Sequence, residues 1–219
     1  SADDSRGVAP PGRGGEKSGM LYLLLTGGEP FSRSDFREIM TGLHDMGLVL
    51  TINSNGTLIT EKTMEWLVQV PPVRINITLY GASDATYERL CGNPRGFTQV
   101  TKAIRMLRDA GIAVKINCSL TPYNADDLEK IIDFSRREEL VVQATAYMFP
   151  PVRRDAAKVG QNDRFTPKEA AYYAAKIEKL LGGSEQFLKR AETLDFGSIP
   201  SDDDMCPDAE GDGILCRAG

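Results

Sequence analysis

The chain alternates short apolar runs with amphipathic stretches, and it does so five times in succession. The apolar runs are MLYLLL, LVLTIN, RINITLY, AVKINCSL and VVQATAYMF. Each is followed by residues at helical spacing, as with Phe36, Ile39, Met40 and Leu43 after the first run. Strands that alternate with helices of about ten or more residues form right-handed βαβ units and a parallel sheet. The sequence therefore predicts an α/β fold with five parallel strands.

Several residues mark the ends of the predicted helices. Ser34 is expected to cap the first helix and Gly47 to end it. Thr166 is expected to cap the last helix, with Pro167 at its first position.

Three of the predicted strands are polar on one face. The polar positions, which alternate with apolar ones, are Thr51, Asn53, Arg74, Asn76, Thr78, Tyr80, Lys115, Asn117 and Ser119. Parallel strands are usually apolar on both faces, and a buried polar group without a partner costs about 1–3 kcal/mol. This face is therefore expected to line a wet or ligand-filled cavity of a partly open barrel. The alternative is the solvated face of a curved sheet.

Composition excludes several classes of protein. The 219 residues include 26 basic and 31 acidic side chains, with a net charge of −5 and no basic cluster, which argues against a nucleic-acid partner. No apolar run reaches the roughly 18–20 residues of a membrane span. The four cysteines, Cys91, Cys118, Cys206 and Cys216, form no C-x-x-C motif. We expect free thiols and a soluble protein of the reducing cytoplasm.

The chain divides into three parts by composition. Residues 1–19 are rich in Gly, Ser, Pro and charge, and are expected to be a disordered tail or linker. Residues 20–182 carry the strand–helix alternation. Residues 183–219 have weak periodicity and are expected to be an irregular extension.

The carboxyl ends of the predicted strands carry the residues suited to a binding site. They are Thr26-Gly27-Gly28-Glu29, Ser54-Asn55-Gly56, Tyr80-Gly81, Thr121-Pro122-Tyr123-Asn124 and Tyr147-Met148. In folds of this class, ligands bind at these ends of the strands. Paired glycines let a ligand approach the backbone, and the neighbouring carboxylate suits a cationic group.

Three strings in order, LLLTGGEPF, INSNGTLIT and INITLYGASDATYERLCGNPRGF, resemble the radical SAM superfamily. The third string, with the following strand, resembles its peptide-modifying branch, which carries an auxiliary cluster-binding module called SPASM. The resemblance covers residues 20–182. It implies a partial (β/α)6 barrel of which this chain holds strands two to six, without the first βα unit.

The resemblance also implies roles for residues at the first two strand ends. Gly27, Gly28 and Glu29 match the positions that hold the amino group of S-adenosylmethionine. Pro30 matches the residue that fixes this turn, and Ser54 lies near the ligand.

Four further residues match the remaining contacts that the resemblance implies. Thr78 and Arg89 match positions that bind the methionyl carboxylate or the ribose. Asn117 and Tyr147 are candidates for contact with the substrate or the adenine.

The cluster-binding residues of the family are not in this chain. Members bind a 4Fe-4S cluster through three cysteines, C-x-x-x-C-x-x-C, in a loop that precedes GGEP, whereas no cysteine precedes Gly27 here. Cys91 and Cys118 are expected at a helix end and in the helix layer, so neither replaces them. ILCRAG resembles the opening of a SPASM module, in which Cys216 would be the first ligand of an auxiliary cluster.

Two hypotheses of function follow from the resemblance. The first is the core of a radical S-adenosylmethionine enzyme that modifies a peptide, inactive over these residues because the cluster cysteines are absent. The second is a non-catalytic remnant that binds S-adenosylmethionine or a peptide. A conventional barrel enzyme with acid–base chemistry is a third class, but the strand ends offer no convincing histidine or carboxylate pair for it.

Overall fold

The sheet has five parallel strands that follow one another in chain order. The computed structural model describes Gly19, residues 21–147 and residues 164–193. The strands are β1 Tyr22–Leu25, β2 Val49–Ser54, β3 Arg74–Thr78, β4 Val114–Ser119 and β5 Val141–Thr145. This arrangement confirms the predicted α/β fold and its five parallel strands.

Helices follow each strand, with one more at the end of the described chain. They are α1 Phe36–Asp45, α2 Glu61–Leu67, α3 Asp84–Cys91, α4 Gly96–Asp109, α5 Leu128–Arg137, α6 Pro167–Gly182 and α7 Ser184–Thr193. Short 3-10 turns, Pro30–Ser32 and Ala125–Asp127, lie before α1 and α5.

The start of α1 differs from the prediction. Asp35, not Ser34, occupies the N-cap position, and its side chain makes no capping hydrogen bond. The Asp35 carboxylate instead accepts two hydrogen bonds from the guanidinium of Arg33, at 2.9 and 2.8 Å. The predicted cap at Ser34 is therefore wrong, since a neighbouring ion pair sets the helix start. The predicted end at Gly47 is confirmed by its left-handed φ of 75°.

The start of α6 agrees with the prediction. Thr166 and Glu169 form a capping box in which each side chain accepts the backbone N–H of the other, at 3.3 and 2.8 Å. Pro167 takes the first helical position, where its missing N–H is not needed.

The hydrophobic core lies between one face of the sheet and the helices. Strand residues on this face are almost fully buried, with helix residues packed against them: Leu50, Ile52, Ile75, Ile77, Ile116, Met40, Ile104, Leu107, Ile131 and Ile132. Full burial of one such side chain contributes about 1.5–3 kcal/mol. The core therefore fixes the sheet and, through it, the positions of the strand ends.

The opposite face of the sheet is polar, as the alternation predicts, and we call it the polar face. In the strand register, Asn53 lies opposite Asn76, which lies opposite Lys115. Asn76 Nδ2 donates to Asn53 Oδ1 at 2.7 Å, so the two amides are joined across the strands. One row closer to the strand ends, Thr78 lies opposite Asn117.

The end of the described chain departs from the expectation for residues 183–219. Residues 184–193 form the helix α7, which packs on α6, so the expected irregular structure is wrong for this segment. The apolar positions Phe187 and Leu188 were too few for a clear helical period. The expected tail, apart from Gly19, and Cys206 and Cys216 lie outside the described residues.

Candidate functional site

Glu29 joins the carboxyl ends of β1 and β2. Its Oε1 accepts hydrogen bonds from the Ser54 hydroxyl at 2.8 Å and from the Phe31 N–H at 3.2 Å. Its Oε2 accepts the Asn55 N–H at 2.7 Å. A carboxylate has about four acceptor positions, so Oε2 retains capacity for one further donor. The strand ends that the sequence predicted to form a site are thus joined by a direct contact.

The backbone before Glu29 is open to a ligand. A Cβ atom added to Gly27 or to Gly28 would meet no atom within 4 Å. Pro30, which follows Glu29, is buried and begins a 3-10 turn. The Glu29 side chain caps this turn by accepting the N–H of Phe31. The Cα atoms of both glycines therefore border free space beside a fixed carboxylate.

The turn after β2 depends on Gly56. This residue has a left-handed φ of 75°, and a Cβ there would lie 3.3 Å from Ile77 and 3.4 Å from Val100. Its N–H donates to the Ser54 hydroxyl at 2.9 Å, while that hydroxyl donates to Glu29. Ser54 is therefore buried and held from both sides.

Asn124 joins the ends of β3 and β4. Its Nδ2 donates to the carbonyls of Tyr80, at 2.9 Å, and of Ser119, at 3.1 Å. Its Oδ1 accepts the Thr121 N–H at 2.7 Å. One buried side chain thus satisfies carbonyls at the ends of two neighbouring strands, a role that sequence reasoning missed.

Asp127 holds the loop after β3 in the same region. Its Oδ2 accepts the Ala82 N–H at 2.9 Å and the Thr86 hydroxyl at 2.6 Å, and its Oδ1 lies 3.3 Å from Lys130 Nζ. Burial raises the pKa of this carboxyl, but the three hydrogen bonds together hold the pKa below its ordinary value. The only sequence signal for Asn124 and Asp127 is that short polar residues lie between a strand and a helix.

The remaining predicted site residues lie at separate points of the same edge. Arg89 donates from Nη2 to the Tyr123 carbonyl at 2.7 Å and is exposed. Thr78 is half-buried at the end of β3, opposite Asn117, and Tyr147 follows β5 and is exposed. The structure thus joins Glu29 and Ser54 directly, places Thr78 beside Asn117 and directs Arg89 to a loop carbonyl.

Tyr80 links the first and third strand ends electrostatically. Burial raises the pKa of its phenol, and Cys91 and the Glu29 carboxylate raise the pKa further. The Tyr80 N–H donates to the Tyr87 hydroxyl at 3.2 Å, which fixes this strand end on α3.

In the described part of the chain, the site has unpartnered acceptor atoms but no cluster of metal ligands. The Oδ1 atoms of Asn76 and Asn117 are buried and have no hydrogen-bond partner among the described residues. No group of three or more His, Cys, Asp or Glu side chains in residues 21–147 and 164–193 is arranged to hold a metal.

The two described cysteines are poor iron ligands. Burial, with a smaller contribution from Asp127, raises the pKa of Cys118 to about 12. Cys91 is exposed at the end of α3, and partial burial raises its pKa as well. Iron–sulfur ligation requires several converging thiolates, which these two residues do not supply. In the same described ranges, no helix has the length and apolar character needed to cross a membrane.

Comparison with known proteins gives consistent matches. The sequence profile of the Radical SAM superfamily matches residues 13–135. AdoMet-dependent heme synthase of Methanosarcina barkeri is 28% identical over 151 residues, which are 69% of this chain and 42% of that protein. PqqA peptide cyclase of Ruegeria pomeroyi is 30% identical over 187 residues, which are 84% of this chain and 47% of that protein. The chain thus spans less than half the length of either relative.

Among solved structures, Streptococcus suis SuiB bound to precursor peptide SuiA has the same fold. Its TM-score is 0.59 at 17% identity, and the match covers 82% of this chain and 38% of that one.

Proposed function

Because this chain belongs to the radical SAM superfamily, we propose that its strand ends bind S-adenosylmethionine and that its activity is the modification of a peptide. The observation that carries the proposal is the Glu29 contact, which fixes the GGEP turn against the Ser54-Asn55-Gly56 turn of the next strand. Open space beside Gly27 and Gly28 leaves this junction accessible to a ligand.

The residues at the junction suit the polar groups of S-adenosylmethionine. The glycine carbonyls and the free acceptor position of Glu29 Oε2 would take the N–H donors of the methionyl ammonium. The Thr78 hydroxyl, at the end of β3, is available for the ribose or the carboxylate. The Arg89 guanidinium donates to the Tyr123 carbonyl in this structure and would turn to donate to the methionyl carboxylate instead.

In the family, a 4Fe-4S cluster would supply the electron that cleaves S-adenosylmethionine, and the radical released from S-adenosylmethionine abstracts hydrogen from the substrate. The described residues do not fit such a cluster, since only Cys91 and Cys118 are present and Cys118 is buried. Toward S-adenosylmethionine, the proposed role of the described residues is thus to bind and orient it. We propose that these 219 residues by themselves do not turn it over.

A peptide substrate is supported by relatives and by the polar face. PqqA peptide cyclase of Ruegeria pomeroyi matches 84% of this chain, and SuiB was solved with its precursor peptide. The heme synthases match a shorter stretch. A peptide also suits the buried amide oxygens of Asn76 and Asn117, because its backbone N–H groups are donors.

Two further expectations belong to this proposal. Free thiols at Cys91 and Cys118 support a location in the reducing cytoplasm. Cys216 remains a proposed first ligand of an auxiliary cluster in a SPASM module.

The binding proposal is tested by NMR titration of the isotope-labelled chain with S-adenosylmethionine. A few hydrogen bonds without the cluster suggest a weak dissociation constant, on the order of 1 mM. We expect the amide signals of Gly28, Asn55 and Thr78 to shift, and Thr78→Val to weaken binding severalfold. Thr41→Val, which changes an exposed threonine on α1, is the matched control. Tight binding that survives Glu29→Ala and Arg89→Ala would show that the pocket lies elsewhere.

The proposed lack of turnover has a test of its own. The chain is incubated anaerobically with iron, sulfide and a reductant, and visible absorption and 5′-deoxyadenosine are then measured. Neither a cluster spectrum nor 5′-deoxyadenosine is expected, which favours a binding role for these residues. Formation of 5′-deoxyadenosine would establish the chain as an active enzyme core and contradict the proposed inactivity.

A further inference from the structure

The polar face carries two positive charges and no negative one within the described strands. Lys115 lies in the middle row opposite Asn76, and Arg74 lies one row nearer the amino ends, opposite Thr51. The other described strand residues of this face are uncharged: Tyr22, Leu24, Val49, Thr51, Asn53, Asn76, Thr78, Asn117, Ser119, Val141, Gln143 and Thr145.

Lys115 and Arg74 differ from three cations on the helices in having no ion-pair partner in the described part of the chain. On the helix side, Lys102, Arg105 and Arg108 each form an ion pair with a glutamate. Neither Lys115 nor Arg74 has an ion-pair partner among the described residues. Lys115 Nζ donates to the neutral Gln143 Oε1, and its side chain is half-buried. A partly buried charge is costly without a counter-charge, so this position suits an incoming anion.

The same row also contains a buried acceptor atom that no donor of the described chain reaches. The Asn76 side chain is only 8% exposed. Its Nδ2 donates to Asn53 Oδ1, whereas its Oδ1 has no hydrogen-bond partner among the described residues. Asn117 Oδ1, in the next row, is likewise buried without a partner. Buried polar atoms are almost always hydrogen-bonded in folded proteins, so these acceptors indicate a ligand that supplies N–H groups.

We propose that the polar face binds an acidic residue of a peptide, with its carboxylate at Lys115 and Arg74. The backbone N–H groups of that residue and its neighbour donate to the Oδ1 atoms of Asn76 and Asn117. Because Lys115 and Asn76 lie before the strand ends in the register, the peptide lies nearer the middle of the strands than the site at Glu29 does. This inference rests on the proposed function and specifies its substrate as a carboxylate-bearing peptide.

The test compares two capped tripeptides, acetyl-Gly-Glu-Gly-amide and acetyl-Gly-Gln-Gly-amide, in NMR titrations of the labelled chain. They differ only in the charge of the central side chain. We expect the glutamate peptide to bind about tenfold more tightly, because the bonds to Lys115 and Arg74 are charge-assisted. The side-chain amide signals of Asn76 and Asn117 should shift with it.

Variants assign the preference to the two cations. Lys115→Met combined with Arg74→Met should make the two peptides bind equally, whereas Lys115→Arg should keep the preference. Lys62→Met is the matched control, because it removes an exposed lysine on α2, away from the polar face. Thermal melting of each variant shows whether it is folded. A glutamate preference that persists in the folded double variant would overturn the proposal.

Two arms separate this inference from the proposed function. S-adenosylmethionine is titrated into the same variants, and its shifts at Gly28 and Asn55 should be unchanged. If S-adenosylmethionine fails to bind while the glutamate preference holds, the proposed function fails and the carboxylate site stands. If a porphyrin with carboxylate side chains binds through Lys115 and neither peptide does, the ligand is a tetrapyrrole and the peptide assignment is overturned.

Discussion

At the scale of single residues, Glu29, Asn124 and Asp127 each join segments that are distant in the sequence, through hydrogen bonds of their side chains. Glu29 and Ser54 were predictable because short motifs surround them, and the structure joins them although they lie 25 positions apart. Asn124 and Asp127 have no such motif. Their partners, at Tyr80 and Ala82, lie 44 and 45 positions away and depend on how two loops fold together. Long-range hydrogen bonds of this kind cannot be read from local patterns.

Asp127→Asn should lower the stability of the chain in a way that depends on pH. The hydrogen bonds hold the pKa of Asp127 below its ordinary value of 3.8, so the carboxylate stabilises the folded state above that pH. This contribution is lost as the pH falls through the folded-state pKa. We expect a loss of about 1–3 kcal/mol at neutral pH, which shrinks in acid because the native carboxyl is then protonated too. Urea denaturation at several pH values between neutral and strongly acid measures it.

The control for this measurement is Asp133→Asn, which changes an exposed carboxylate on α5, the helix that Asp127 precedes. It should alter stability little at any pH, since exposed ion pairs contribute only about 0–1 kcal/mol. An Asp127→Asn deficit that stayed constant down to strongly acid pH would show that its charge is not what stabilises the loop.

At the scale of elements, the spacing of the apolar residues and the length of each apolar run were sufficient to predict the strands and most helices. The residues at which helices begin were predicted less accurately. Thr166 and Pro167 act as expected because a capping box is local to four residues. Ser34 does not, because the Arg33–Asp35 ion pair competes for the same turn. The helix α7 was missed because it packs through few apolar residues against α6, so its stability comes from a neighbour rather than from its own pattern.

The junction of α3 and α4 depends on a glycine that the sequence did not single out. A Cβ atom at Gly96 would collide with the ring of Tyr87, which is 1% exposed. The Tyr87 hydroxyl accepts the Tyr80 N–H, so the ring is fixed and cannot move aside. We expect Gly96→Ala to lower the free energy of unfolding by about 1–3 kcal/mol, measured by urea denaturation.

Gly42→Ala is the comparison, because Gly42 lies inside α1 and a Cβ there meets nothing within 4 Å. Since alanine is the better helix former, this change should raise stability by about 0.5–1 kcal/mol. Equal effects of the two substitutions would mean that Tyr87 is not packed as tightly as its burial indicates.

At the scale of the whole molecule, the positive charges on the helices and those on the polar face have different electrostatic surroundings. On the helices, Lys102, Arg105 and Lys176 form ion pairs with glutamates. The two cations of the polar face have no acidic neighbour in the described strands. The alternation in the sequence predicted that this face is polar. It did not predict that Lys115 and Arg74 lack counter-charges, because that depends on every strand that shares the face.

The edge strand β1 leads to a prediction about association. Among the described residues β1 pairs only with β2, and Tyr22 and Leu24 are 72% and 49% exposed. An exposed strand edge with apolar side chains favours pairing with another chain. We therefore expect the chain to associate as its concentration rises, and the double variant Tyr22→Lys, Leu24→Lys to remain monomeric, as measured by size-exclusion chromatography with light scattering.

Tyr172→Lys separates an edge effect from a general gain in solubility. Tyr172 lies on α6 and is 62% exposed, so its replacement adds the same charge at a similarly exposed tyrosine far from a strand edge. If β1 is the site of association, Tyr172→Lys should leave the concentration dependence of the unaltered chain in place, because backbone pairing at the edge is untouched. Equal relief by both variants would assign the association to apolar surface in general, and an unaltered chain that is monomeric at every concentration would show that the β1 edge is already covered.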